Sequence, residues 1–157
     1  MNKNLQNISI EESNNFSTFL GYIRIVIQEK LYPWILYALF IKIFGGKDSR
    51  LVVIKNNKKV IGGFFITTLP LNRYKISNWF RKDFQNLISS LIKKEYKYFC
   101  CFIIKESFRN KGLGTMVFDT YLKKRNEKLW FISSPKARTF YIRNGATLVK
   151  YEIYIFN

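Results

Sequence analysis

The chain is 157 residues long and carries 27 Lys and Arg against 10 Asp and Glu, a formal charge of +17, with no His and two Cys. That composition excludes a Ser-His-Asp triad, a Cys-His pair and a His-ligated metal site, and two adjacent cysteines build neither a zinc cage nor a disulfide framework. The length suits one domain over residues 1–157, an apolar fraction of 48% argues against a disordered chain, and the positive field attracts anions: nucleic acid, an anionic membrane surface, an acidic protein or a phosphate-bearing small molecule.

Residues 1–16, MNKNLQNISIEESNNF, are polar and contain no apolar signal core, and Cys100 and Cys101 sit inside an apolar run as expected of buried, reduced thiols. The expected compartment is the cytoplasm. Residues 5–10 are a candidate first strand. Phe16, Phe19, Leu20, Ile23 and Ile27 then recur at spacings of three and four, one face of a helix, with Ser13 as a candidate N-cap. Pro33 opens a second helix and Gly45-Gly46 closes it. Its core, Leu31 to Phe44, is strongly apolar but shorter than the roughly 20 residues that span a bilayer. A buried helix is one reading of it; a membrane-surface or acyl-chain-binding helix is the other.

Residues 51–55 and 60–67 read as strands joined by a turn at Asn56–Lys59, and Gly62-Gly63 suggests a bulge. A loop containing Pro70 follows. Between 77 and 95, Trp79, Phe80, Phe84, Leu87, Ile88, Leu91 and Ile92 form one helical stripe. Residues 97–104, KYFCCFII, are a strand; 113–125 a helix with a basic last turn; 129–133 a strand; Pro135 to about Arg143 a helix stopped by Gly145; and 147–156 a single last strand. Helices, a β-hairpin, a helix and then strand–helix–strand–helix–strand make an α+β domain with a mixed central sheet flanked by helices.

The segment from Phe102 to Thr115 runs from a buried strand through a short loop into a helix. The first amides of a helix have no partner within it and the N-terminus carries partial positive charge, so a phosphate accepts their hydrogen bonds. Gly112 and Gly114 remove Cβ atoms where an anion approaches, and Arg109 and Lys111 add charge. R-x-x-G-x-G after a strand meets the needs of pyrophosphate binding. It is neither a Walker loop, which ends in Gly-Lys-Ser/Thr, nor a Rossmann fingerprint, whose third glycine is Val117 here.

At these residues the sequence resembles the GCN5-related N-acetyltransferases, the GNAT family. Their central motif, an apolar strand followed by x-P-x-[YF]-R-x-x-G-x-G, aligns with Ile104 to Gly114, with Glu106 in place of the usual proline. Their second motif, N-x-x-A-x-x-[FL]-Y-x-x-x-G-[FA], aligns with Ser134 to Ala146, with Ser134 in place of Asn. The resemblance covers a cofactor-binding core at 97–157; the hairpin at 51–67 is compatible, and the apolar helical region at 11–46 is not diagnostic.

The resemblance implies an enzyme, a GNAT-type N-acyltransferase that passes an acyl group from acetyl-CoA or a longer acyl-CoA to an amine by direct attack on the thioester. Amides from Asn110 to Thr115, including Lys111, Gly112, Leu113 and Gly114, would hold the pyrophosphate beside Arg109. The strand edge at Phe102, Ile103 and Ile104 would pair with the pantetheine amides, and Ser134 and Phe140 would line the pantetheine arm. Tyr141 takes the place of the family's general acid, and a phenol, with an ordinary pKa of about 10, is protonated at neutral pH. Glu106 at the loop entrance is a candidate base; a water chain is the alternative. No metal is implied.

Two features depart from the family pattern: the helical insertion before the motif strand, and the apolar, aromatic N-terminal helices. They form either an apolar groove for a long acyl chain, with fatty acyl-CoA or an acidic acyl carrier protein as donor, or an ordinary core or homodimer interface. The acceptor stays open among small amines, peptides and proteins. A basic nucleic-acid- or membrane-binding module on the same scaffold is the alternative function; the complete R-x-x-G-x-G, which nucleic-acid binding does not need, counts against nucleic acid.

Overall fold

A computed structural model describes residues 7–45, 49–68, 82–150 and 152–157. In chain order the elements are β1 (Ile8–Ser13), α1 (Phe16–Gln28), α2 (Tyr32–Phe44), β2 (Arg50–Asn56), β3 (Lys59–Thr67), α3 (Lys82–Lys93) and β4 (Lys97–Ile104). A 3-10 turn (Glu106–Phe108) leads to α4 at residues 113–125, then β5 (Leu129–Ile132), α5 (Pro135–Arg143), β6 (Thr147–Lys150) and β7 (Ile153–Phe156). The α4 helix loosens into a π turn over Phe118–Leu122 before its last turn, Lys123–Arg125.

The strands form one seven-stranded mixed sheet in the order β1-β2-β3-β4-β5-β7-β6. Among the described residues only the β4–β5 neighbours are parallel; the other pairs are antiparallel. One face carries α4 and α5 over Val52, Ile54, Phe64, Phe99 and Phe131. The other carries α1 and α2 over Leu51, Val53, Phe65 and Ile103, and α3 over Trp130 and Ile153, with Tyr98 touching both groups. Gly63 serves the α1 side: a Cβ there would stand 2.9 Å from the Tyr22 ring and 2.6 Å from the Val52 carbonyl.

The α+β order expected from the sequence is the order found. Differences lie at the element ends. The first strand is displaced C-terminally from the expected 5–10, and residues 5 and 6 lie outside the described residues. Ser13 closes that strand instead of capping α1; the cap is Asn15, whose Oδ1 accepts from the Ser17 amide at 2.8 Å. The β2–β3 turn has Asn57 and Lys58 at positive φ, as the asparagines suggest. The helix expected over 77–95 is seen from Lys82, and Phe84, Ile88 and Leu91 are buried as its stripe requires. Pro70, Trp79, Phe80 and Gly46 lie outside the described residues.

The expected single strand at 147–156 is instead the β6–β7 hairpin, with Lys150 opposite Ile153. Continuous alternation disguises the break, because a tight turn preserves the two-residue period on either side. β6 is an exposed edge strand with Leu148 and Val149 at the surface, so no buried face marks its register.

Candidate active site

β4 and β5 share only two register pairs, Lys97–Leu129 and Tyr98–Trp130. Beyond them β4 runs on to Ile104 and β5 to Ile132 without pairing to each other, so the sheet opens into a wedge. A bulge widens it. On β3, Gly63 and Phe65 are two residues apart; their partners on β4, Ile103 and Cys100, are three apart. The extra residue is absorbed around Cys101, whose φ of 56° lies in the left-handed region, and the Tyr22 hydroxyl donates to the Cys101 carbonyl at 2.7 Å. The bulge resets the alternation. Cys100, Cys101 and Ile103 all face α1 and α2, whereas Phe99, Phe102 and Ile104 pack on the α4–α5 side.

Two cavities meet in the wedge. One, of about 370 Å³, is lined by Phe102, Ile104, Phe108, Arg109, Asn110, the run from Gly112 to Thr115, and by Ala137, Phe140 and Tyr141 of α5. The other, of about 340 Å³, lies between α2 and the ends of β4 and β5, with Trp34, Tyr37, Cys100, Cys101, Ile132 and Tyr141 in its walls. Phe102 and Tyr141 line both.

The first cavity suits an elongated ligand with a phosphorylated end. The first helical bond of α4 runs from the Met116 amide to the Gly112 carbonyl at 3.0 Å, so the amides of Leu113, Gly114 and Thr115 precede any intrahelical acceptor. Gly112 has φ 78°, and a Cβ on it would meet no protein atom, so its open side belongs to the cavity. Gly114 has a packing reason: a Cβ would come within 2.8 Å of the Phe140 ring. Phe140 stacks on Phe102 with centroids 6.2 Å apart, forming an apolar wall.

Of the residues expected at a cofactor site, Phe102, Ile104, Arg109, Asn110, Gly112, Leu113, Gly114, Thr115 and Phe140 line this cavity. Ile103 turns its side chain to the α1–α2 core, a consequence of the bulge. Lys111 folds back on its own loop, its Nζ donating to the Ser107 carbonyl at 2.7 Å. Ser134 is an exposed N-cap of α5 outside the lining. Arg109 does not present a free guanidinium: Nε donates to the Ile104 carbonyl at 2.7 Å, and Nη2 is paired with the Glu29 carboxylate. Glu29 also accepts the Glu106 amide at 2.8 Å. Glu106 itself is exposed on the 3-10 turn and lines neither cavity.

Tyr141 packs against Phe131 at 4.4 Å and Phe118 at 5.9 Å between centroids. Burial pushes its phenol above the ordinary value, so it keeps its proton throughout the neutral range. Three neighbours of the site escape sequence reading. Glu29 is the lone carboxylate in residues 14–46, and that isolation is the only local signal of its work on Arg109. Trp34 and Tyr37, at i and i+3 on α2, look like core.

No family model matches this sequence, and no curated protein matches it. Solved structures do. An acetyltransferase of the GNAT family from Staphylococcus aureus superposes with a TM-score of 0.64 at 16% identity, covering 96% of this chain and 98% of that one. This is the GNAT fold. An acetyltransferase from Thermus thermophilus gives 0.64 at 12% identity over 98% of both chains. The N-acyl amino acid synthase FeeM, from uncultured soil microbes, gives 0.61 at 16% identity over 95% of this chain and 88% of its own. These GNAT-fold structures span the N-terminal helices as well as the motif-bearing half. Among the described residues no helix is long and apolar enough to cross a membrane.

Proposed function

We propose that the protein is an acyl-CoA-dependent N-acyltransferase. The observation that carries this reading is the meeting of the two cavities at Phe102 and Tyr141, with the R-x-x-G-x-G loop at the far end of one of them. The loop amides hold the pyrophosphate, Phe102, Phe140 and Ala137 flank the pantetheine arm, and the thioester comes to lie beside Tyr141. Arg109 acts mainly on the protein: it ties Ile104 to Glu29 and so fixes where the loop leaves β4.

In the reaction the amine nitrogen attacks the thioester carbonyl, a C–N bond forms and the C–S bond breaks. Tyr141 gives its proton to the departing sulfur and regains one from the nitrogen through solvent, so the products are an amide and free CoA thiol. A buried phenol is a weak acid, but the same desolvation raises the proton affinity of the nascent thiolate. The acceptor must arrive neutral. An α-amine, with a pKa of about 7.7–8.0, supplies more neutral form at pH 7 than a lysine side chain at about 10.4. Among the described residues no carboxylate lines the second cavity, so water is the proposed carrier of the amine's proton.

A second reading keeps the chemistry and changes the delivery of the donor to an acidic acyl carrier protein. It is favoured by the outer faces of α1 and α2, which expose Phe16, Leu20, Leu36 and Ile43 on a chain of charge +17. The similarity in fold to an N-acyl amino acid synthase fits either delivery.

Thermal unfolding with CoA and acetyl-CoA at fixed ionic strength tests the main reading, followed by thiol release in an amine panel. Specific binding raises the melting temperature by mass action. A rise with both ligands and thiol release with an amine is the expected result; no rise with either overturns acyl-CoA use.

A further inference from the structure

The second cavity differs in chemistry from the first. Its walls are Trp34 and Tyr37 of α2, the β4 run from Tyr98 to Phe102, Phe131 and Ile132 of β5, and Tyr141. None carries a formal charge. Burial raises the pKa of the Tyr37 and Tyr98 phenols and of the Cys100 thiol, so these groups stay neutral as well. The Cys101 carbonyl, the polar group that the bulge turns out of the ladder, is already taken by the Tyr22 hydroxyl. Among the described residues no carboxylate lines this cavity.

An ammonium entering this space would leave water without gaining an anion from these walls, which is costly for any ion. A hydrocarbon group would replace water on aromatic walls, which is favourable in proportion to the area covered. The volume, about 340 Å³, is at the lower end of ligand pockets, and an acetyl group occupies a small part of it.

We propose that this cavity receives an uncharged, apolar portion of a substrate, bonded close to the reacting centre, and that it discriminates against cationic acceptors such as polyamines. The group comes either from the donor, as an acyl chain longer than acetyl, or from the acceptor, as an aromatic or aliphatic side chain. The proposal rests on the acyltransferase reading and names the substrate class of that site.

The experiment measures thermal shifts with CoA, acetyl-CoA, butanoyl-CoA and octanoyl-CoA, then with phenethylamine and spermidine in the presence of CoA. The wild type is compared with Ile132→Glu, which places a carboxylate at the cavity mouth; Ile132 is 39% exposed, so the fold tolerates the change. If the donor fills the cavity, affinity rises by about fourfold for each methylene buried, and Ile132→Glu flattens the series while leaving the CoA shift unchanged. If the acceptor fills it, the acyl series is flat, phenethylamine binds at least tenfold more tightly than spermidine, and Ile132→Glu reverses that order. A flat acyl series together with spermidine binding as tightly as phenethylamine overturns the proposal. Absence of a shift with CoA itself overturns the acyltransferase reading instead, which separates the two failures.

Discussion

Residues 97–157 and residues 16–44 use aromatic side chains in opposite ways. In the first region Phe99, Phe118, Phe131, Tyr141 and Phe156 interlock, with centroid separations from 4.4 to 6.5 Å, and rings that line the proposed active site also hold α4 and α5 to the sheet. In the second, one side of each helix packs inward through Phe19, Tyr22, Ala38 and Ile41, while the other leaves Phe16, Leu36, Ile43 and Phe44 in solvent, Leu36 at 74% exposure. The motif-bearing half therefore packs its rings around the proposed active site. The N-terminal half has a face whose apolar character the fold does not use.

The steepest test of that contrast is truncation of a ring in the interlocked cluster. Phe118→Ala should lower stability by about 3–5 kcal/mol in urea denaturation, because Phe118 is fully buried among five other rings. Next in size is Tyr141→Phe, which keeps the packing and removes the acid. It should slow turnover by about 10²–10⁴-fold while leaving the thermal shift with CoA in place; full activity in that variant would remove Tyr141 from the chemistry.

Alkaline pH should probe both halves together. Burial raises the pKa of Tyr22 in α1, Tyr98 in β4 and Tyr141 in α5 above the unfolded value near 10. A phenol whose pKa is raised by folding contributes stability that is intact below pH 10 and is lost as the pH climbs through the folded value. Urea midpoints should therefore begin to fall at about pH 8.5, where the unfolded Cys100 thiol ionises while the buried one does not, and more steeply above about pH 10, each such group adding up to about 1.4 kcal/mol per pH unit. Turnover should show no basic limb from Tyr141 below pH 10.

Smaller effects test the seam between the halves. Glu29, 11% exposed, ties the N-terminal region to the loop before α4, through Arg109 and the Glu106 amide. Glu29→Gln keeps an acceptor for the amide and loses the ion pair, so CoA affinity should weaken by about fivefold, near 1 kcal/mol, as read by calorimetry. The smallest change belongs to the exposed face: Leu36→Asn should shift stability by no more than about 0.5 kcal/mol. A loss as large as that at Phe118 would mean that this face is buried in solution against another surface.

Much of the fold and part of the site could be read along the chain. The run Arg109-Asn110-Lys111-Gly112-Leu113-Gly114 between an apolar strand and a helix announces a loop with free amides, because capping groups, glycine and the helix start all act within a few residues. The stripe at Phe84, Ile88 and Leu91 announces an amphipathic helix for the same reason, since helical neighbours are three and four apart. The lack of His settles which chemistry is impossible without any structure.

What the tertiary structure decided depends on contacts between distant segments. The Glu29–Arg109 pair spans 80 positions and the Tyr22–Cys101 hydrogen bond 79, and no local pattern encodes either partner. The bulge at Cys101 is an adjustment of register between β3 and β4; it sends Phe102 and Ile104 to the α4–α5 side and Ile103 to the opposite core, although simple alternation predicts another assignment. Trp34 and Tyr37 become cavity walls only because α2 lies over the wedge where β4 and β5 part. The sequence by itself determined the elements and the glycine loop that opens α4, through hydrogen bonds closed within a turn or two. Docking of the helices across the sheet decided which cavity forms, what lines it and how the arginine of the motif is occupied, because those depend on the placement of residues that are remote in the chain.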